Sequence, residues 1–439
     1  MVGQAQMIGA DAEALAAAAN SLTTAADELD ASAHSLTSAL GGLQWLGSVA
    51  VRFSDVWNSG HHPNLAKTAG FLREAADLLR QQAAEQLTAS AAGSSQRSIV
   101  GPSGSIGSGR LDALVSQASN LGSPAEVRAW WDSLTDAERA ALKAERPELV
   151  GNLDGVPPAD RYAANRLNIQ NHIDELKAQG ASPGEIARFQ SFLDGDRQIL
   201  LFDPTGDGRI AEVFGNLATA DDVAVVVPGI GNSLASYSDK YARNLHDAAN
   251  GDTATIMWLG YDTPSAPKDL NLLDPSAISA ARAKEWAPSL ASFTDGLRAT
   301  GYGEITVVAH SYGTVLAAEA AKVGMHVERV ILLGSPGIPA GNASVFNGAD
   351  VFAAKNSGEY VDKFSTHGTD PTSDGFGARH LPGNPLKLFD HESYFNKDSQ
   401  ALEGIVKAVE GSRSGPDGMV VHRYVHADGS AEDIATGTF

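Results

Sequence analysis

Between Asp11 and Leu40 leucine returns every seventh residue, at Leu15, Leu22, Leu29 and Leu36, with Ala18, Ala19, Ala25, Ala26 and Ala33 filling the same face. That repeat predicts an amphipathic helix with a narrow apolar seam. Gly41-Gly42 breaks the pattern, Trp45-Leu46-Gly47 follows, and helical spacing resumes through Val49, Phe53, Trp57, Leu65, Leu72 and Leu79. Residues 1–92 therefore read as a helical hairpin, its second arm kinked or divided near Gly60 and Pro63. Residues 93–110, with the run GPSGSIGSG, hold too little side-chain volume to pack and predict a linker. Helical spacing returns over 111–195, where Ser123-Pro124 and Thr135-Asp136 are helix starts with acidic residues in the first turn. We read this segment as a cap or a bridging layer.

From 196 to 411 the period changes. Short β-branched runs at 198–202, 210–214, 223–227, 255–259, 305–309, 330–333 and 351–354 are separated by helical stretches. Strand and helix in alternation predict an α/β domain, a mostly parallel sheet with helices on both faces. The first two runs are joined by Asp203-Pro-Thr-Gly-Asp-Gly-Arg209. Asp203, Thr205, Asp207 and Gly208 fit the opening of a calcium loop, but its closing twelfth position is Phe214 where a bidentate glutamate is required, so a hairpin turn is the better reading. Residues 412–439 are a polar, Gly-rich tail, apart from MVVHRYVH, which suits an edge strand.

Composition narrows the function classes. The 439 residues are 43% hydrophobic, enough for two or three domains with at least one sizeable core. A net charge of -21 disfavours nucleic acid and anionic lipid surfaces, which an acidic field repels. Without cysteine there is no disulfide framework, thiolate metal site or thiol nucleophile. The N-terminus lacks the cationic start and continuous apolar core of a signal peptide, and no stretch reaches the apolar length of a membrane span, so a soluble protein is expected.

The chemistry concentrates in Ile305-Thr-Val-Val-Ala-His-Ser-Tyr-Gly-Thr-Val-Leu-Ala-Ala-Glu319, a buried strand that turns through small-x-Ser-x-Gly into an alanine-rich helix. That is the pattern of a nucleophile elbow, which lifts a serine oxygen clear of the backbone beside a helix N-terminus. Ser311 is the candidate nucleophile; Gly313 supplies one small flank, and Ala309 stands where glycine is usual. A mere helix-capping serine is the plainer alternative. A serine hydroxyl needs an imidazole to take its proton, and His391, ahead of a closing helix at 399–409, has the right place in chain order. His367, His380, His422 and His426 are less well placed. The carboxylate that orients the imidazole should follow the 351–354 strand, where Glu359 is the first choice and Asp362 the second. Backbone amides of Tyr312 and of Ile230, in the Gly-rich turn Val227-Pro-Gly-Ile-Gly231, are the candidate oxyanion donors. That turn lacks the lysine of a P-loop and the spaced glycines of a dinucleotide site. Neither a metal nor an organic cofactor is required.

Several motifs together resemble a family of actinobacterial α/β hydrolases of poorly defined substrate. They are Gly155-Val-Pro-Pro-Ala-Asp-Arg161 with Ala164-Asn-Arg166, Val226-Val-Pro-Gly229, Ala309-His-Ser-Tyr-Gly313, His367-Gly-Thr-Asp-Pro371 and His391-Glu-Ser-Tyr-Phe395. The resemblance, from about Trp130 to Gly411, implies an α/β-hydrolase fold and the roles above for Ser311, Glu359 and His391. Where the family tends to show Gly-Asp-Pro after the acid strand, this chain has Gly358-Glu-Tyr360. The hairpin around Trp45-Leu-Gly47 is similar to the WXG-type helical hairpins of type VII secretion substrates. That likeness implies export without a cleaved signal, to the medium or cell envelope, or pairing of residues 1–92 with a second hairpin. No Tyr-x-x-x-acid export signal directly follows the second arm, so a cytoplasmic location stays open. The expectation is a serine hydrolase acting on a small-molecule or lipid ester or thioester; the alternative is a non-catalytic scaffold that recruits a helical partner.

Overall fold

The computed structural model describes residues 12–42, parts of 57–80, 107–249, 251–264, 279–302, 304–357, 367–385, 391–411, 420–425 and 431–436. The chain divides into two compact units, Met1–Ser116 and Gln117–Phe439.

In the first unit α1 runs Ala12–Gly42, and helical residues recur between 57 and 80. Arg73 pairs with Asp27 and Asp30, Arg80 donates to Thr23, and the Trp57 indole donates to Thr37. These pairs descend along α1 as the second segment ascends, so the two arms are antiparallel. Of the leucines and alanines expected on the seam, the alanines form its buried part. Ala19, Ala26 and Ala33, with Ala69 and Ala76 opposite, are all at most 2% exposed, while Leu22 and Leu29 are only half-buried. Methyl side chains let helix backbones approach closely and leave the leucines at the flanks. Trp45, Gly60 and Pro63 lie outside the described residues.

The second unit opens with helices: α2 (Ser108–Ser119) spans the boundary, followed by α3 (Pro124–Ser133), α4 (Asp136–Glu145), α5 (Pro147–Asn152), α6 (Pro158–Ala178) and α7 (Pro183–Ser191). Their starts are chemically explicit. The Ser123 side chain accepts from Glu126 N–H ahead of Pro124, and Thr135 and Glu138 form a reciprocal capping box. Asn152 bonds both ways with the backbone of Phe202, and the Asn165 amide donates to the carbonyls of Gly151 and Ile199. The helices are thereby fastened to the edge of a sheet.

That sheet comprises β1 (Gln198–Asp203), β2 (Arg209–Phe214), β3 (Asp222–Val227), β4 (Thr253–Leu259), β5 (Glu304–His310), β6 (Arg329–Leu333), β7 (Asp350–Ala354) and β8 (Arg379–His380). Its order is β1-β2-β4-β3-β5-β6-β7-β8. Pairing is parallel from β4 through β8, and β2 runs antiparallel to both neighbours. The Asp203–Arg209 segment is the turn of the β1–β2 hairpin, its Asp203 carboxylate held by Thr205 and Arg209.

Helices cover both faces, as the unbroken apolar strands demand. One face packs on α9 (Ala281–Ala299) and α10 (Tyr312–Lys322) through Trp258, Leu290, Phe293, Val315 and Leu316. The other packs on α8 (Lys240–Ala248) and α11 (Gln400–Val409) through Ala242, Leu245, Leu402 and Ile405. In the tail, Val420–Val425 (β9) is a strand, as its pattern suggested. It pairs with Ala431–Thr436 (β10) in a separate two-stranded sheet, because that neighbour in sequence offers a complete ladder at minimal loop cost.

Candidate active site

β5 ends at His310 and α10 begins at Tyr312, which leaves Ser311 alone to make the turn, at φ 55 and ψ -127. L-residues rarely adopt this backbone, and it persists only where the surroundings enforce it. Here they do. Ser311 N–H donates to the Leu333 carbonyl on β6 at 2.9 Å, and Thr314 Oγ1 donates to the Ser311 carbonyl at 2.7 Å. Thr314 Oγ1 also lies 2.7 Å from Ser335 Oγ.

The small residues around the elbow are sterically required. A Cβ on Gly313 would lie 2.7 Å from the Val227 carbonyl oxygen, and one on Gly229 would lie 2.6 Å from Ser311 Cβ. Ala309, by contrast, places its methyl in the main core at 0% exposure, so the departure from glycine is absorbed as ordinary packing.

The two candidate oxyanion amides flank this turn. Tyr312 is the first residue of α10, where a helix leaves its N–H without an internal acceptor. In the loop after β3, Gly231 N–H donates to Pro264 and Asn232 N–H to Thr263 Oγ1. The loop is pinned, and the Ile230 amide has no acceptor among the described residues.

His391 comes to the elbow from 80 residues downstream in sequence. His310, one residue before Ser311, places Nε2 2.7 Å from the His391 carbonyl, and the two rings lie 4.7 Å apart. A carbonyl can only accept, so His310 is the Nε2–H tautomer. Burial, then the neighbouring His391, pushes the His310 pKa down to about 3. It is therefore a neutral strut under His391. Tyr241 and Tyr394 complete its surroundings, each ring 5.7 Å away.

Among the other histidines, His367 is buried with its ring edge-on to Tyr312 at 5.4 Å. His380 sits in β8 and His422 in β9; His426 lies outside the described residues. Both acid candidates, Glu359 and Asp362, also lie outside the described residues.

The loop that carries His391 is tied down by residues that sequence reasoning missed. Asn356, just beyond β7, accepts from Asn384 N–H at 2.8 Å and donates to Ser393 Oγ at 3.2 Å. Asn384 donates to both Ser393 oxygens and accepts from Ala401 N–H at the start of α11. All three side chains are buried. Isolated asparagines ordinarily read as turn residues, and nothing in their spacing marks a network.

The strand order with its single antiparallel strand, the elbow between β5 and α10, and the late histidine define the α/β-hydrolase fold. Residues 203–367 match the alpha/beta hydrolase family. An uncharacterized protein of Mycobacterium tuberculosis is 29% identical, aligned over 70% of this chain and 59% of its own length. A second uncharacterized protein of that organism is 33% identical over 33% of this chain and 60% of its own. This chain thus spans about 59% of the length of the first relative. Among solved structures, the Francisella virulence factor BioJ is similar at 13% identity and a TM-score of 0.32, over 62% of this chain and 98% of its own. A dienelactone hydrolase from Anabaena variabilis is similar at 17% identity and a TM-score of 0.29, over 48% and 94%. Among the described residues, no helix is long and apolar enough to cross a membrane.

Proposed function

We propose that the second unit is a serine hydrolase that cleaves an ester, thioester or lipid acyl bond through an acyl-Ser311 intermediate. The observation that carries this reading is the strained Ser311 backbone, φ 55 and ψ -127, at a strand-to-helix turn with a glycine pressed against the side chain. A helix-capping serine needs no such conformation. In the proposed cycle Ser311 Oγ attacks the acyl carbon and His391 takes its proton. The Tyr312 and Ile230 amides hold the oxyanion, and the leaving group departs with the proton from His391. Water then repeats the sequence on the acyl-enzyme, releasing the acid and restoring Ser311. Glu359 or Asp362 would orient the imidazole.

The test is hydrolysis of short- and long-chain p-nitrophenyl esters together with labelling by a fluorophosphonate. Ser311→Ala and His391→Ala should each lower kcat/KM by about three orders of magnitude or more, and Glu359→Gln or Asp362→Asn, one of the two, by at least a hundredfold. Folded wild-type protein that is neither labelled nor active would remove the proposal. Pairing of residues 1–92 with a helical partner, and a type VII-like route out of the cell, belong to the same proposal. They are tested by whether deleting 1–92 abolishes partner capture and export while the esterase is spared.

A further inference from the structure

The hydrogen bonds of the loop after β3 are one-sided. From Pro228 to Ile230 every backbone carbonyl is held by a side chain. Tyr261, in the segment that follows β4, donates its hydroxyl to the Pro228 carbonyl at 2.6 Å and stands 3.4 Å from the Gly229 oxygen. Asn232 Nδ2 donates to the Gly229 carbonyl at 3.1 Å and to the Ile230 carbonyl at 3.2 Å. The amides of Gly229 and Ile230, by contrast, have no acceptor among the described residues.

A trans peptide points its C=O and N–H in opposite directions, and there is no cis peptide among the described residues. With the Pro228 and Gly229 oxygens both turned to Tyr261 and Asn232, the N–H groups of Gly229 and Ile230 turn away from those side chains together. Successive amides that face one way suit a negative charge. The charge they would meet is close, because a Cβ on Gly229 would lie 3.0 Å from Ser311 Oγ. The next peptide is fixed at both ends, its Ile230 oxygen by Asn232 and its Gly231 N–H by the Pro264 carbonyl at 2.9 Å.

The two side chains are themselves held. Carbonyls only accept, so Asn232 presents its NH2 group and Tyr261 its O–H. Tyr261 is 0% exposed, its ring stacked on Trp258 at 6.1 Å. Burial raises its hydroxyl well above the usual phenol range, so the donor keeps its proton. The Asn232 backbone is bonded both ways by Thr263 Oγ1, at 3.1 Å to its N–H and 2.7 Å to its carbonyl.

We infer that Asn232 and Tyr261 are positioning residues, which hold the Pro228 and Gly229 carbonyls and thereby aim the Ile230 amide at the oxyanion formed on Ser311. The inference rests on the acyl-transfer reading proposed above. It gives a part to two side chains that do not touch the substrate and act through one peptide.

The experiment uses the full-length protein with p-nitrophenyl butyrate as substrate and trifluoroacetophenone as a tetrahedral analogue. Ser311 Oγ adds to the ketone carbon of the analogue, the C=O π pair becomes the oxyanion, and the serine proton passes to His391. Tyr261→Phe keeps the ring on Trp258 and removes the hydroxyl; Asn232→Ala removes both amide donors. Each should lower kcat about thirtyfold with KM within about twofold of wild type, and weaken the ketone by the factor that kcat/KM loses. The double variant should lose little more than the worse single one, since both side chains act on the same peptide. Wild-type kcat in the variants overturns the inference and leaves the hydrolase reading standing. So does a fall in kcat with undiminished ketone inhibition, which is what a loop that only braces the fold would give. A folded wild type that neither hydrolyses the ester nor is inhibited by the ketone overturns the hydrolase reading and this inference with it. Tyr261→Phe decides alone if Asn232→Ala does not fold.

Discussion

Ser311, the proposed nucleophile, carries backbone strain at the turn between β5 and α10. Its φ of 55 lies where only glycine is at ease, and such a conformation costs on the order of 1–3 kcal/mol. The cost resides in the Cβ rather than the hydroxyl, which separates two variants that both lack the hydroxyl. Ser311→Ala keeps the Cβ and should unfold within about 0.5 kcal/mol of wild type. Ser311→Gly should be more stable than wild type by about 1 kcal/mol, the relief of strain outweighing the added freedom of the unfolded chain. Urea denaturation of the three proteins decides this: a glycine variant less stable than the alanine variant by about 1 kcal/mol, the ordinary cost of glycine's freedom in the unfolded chain, would show that the elbow stores no strain. The sequence exposed this site unusually well, because strand, small-x-Ser-x-Gly turn and helix are contiguous. It was silent on His310, whose part depends on a carbonyl 81 positions away.

At the scale of elements, every β-branched run expected to be a strand is one, and Ser123 and Thr135 begin helices as their chemistry suggested. Local pattern reaches that far because strands buried on both faces must be apolar throughout. It missed β8, whose two residues, Arg379 and His380, have no apolar period and owe their strand geometry to β7. On the α1 seam it marked alanines and leucines alike, and close approach buries Ala19, Ala26 and Ala33 while Leu22 and Leu29 stay half-buried. The Asn356–Asn384–Ser393 network is the extreme case, since it links β7, the His391 loop and α11 across sequence separations that no local pattern records. Asn384→Ala removes two donors and one acceptor at a buried position. It should cost about 2–3 kcal/mol of stability and, by loosening the loop that holds His391, lower kcat at least tenfold with little change in KM. If stability falls and kcat does not, the network braces the fold without positioning the histidine.

Across the whole second unit, the buried imidazole of His310 ties stability to pH. Its folded pKa of about 3 is far below the ordinary value of 6.5, so at intermediate pH the unfolded chain binds a proton that the folded one refuses. Stability is then complete above about pH 6.5 and drains away as pH falls toward 3, at up to about 1.36 kcal/mol per pH unit. Between pH 7 and pH 4 this one group should remove about 3 kcal/mol. Asp262 and Asp295 act in the opposite sense, since burial raises both carboxyls and acid relieves them, but both are partly exposed and their contribution is screened. Among the described residues, the rings that face His310 are His391, Tyr241 and Tyr394. Burial raises the Tyr241 hydroxyl away from this range, so the phenol stays neutral throughout. His310→Gln keeps an N–H that can reach the His391 carbonyl and abolishes the titration, so its stability should fall about 3 kcal/mol less than wild type over the same interval. Parallel curves from pH 7 to pH 4 would place the acid sensitivity elsewhere. The same refusal of a proton bears on catalysis. In the proposed cycle His391 becomes cationic during acyl transfer, and a neighbour 4.7 Å away that stays neutral would leave that charge unopposed.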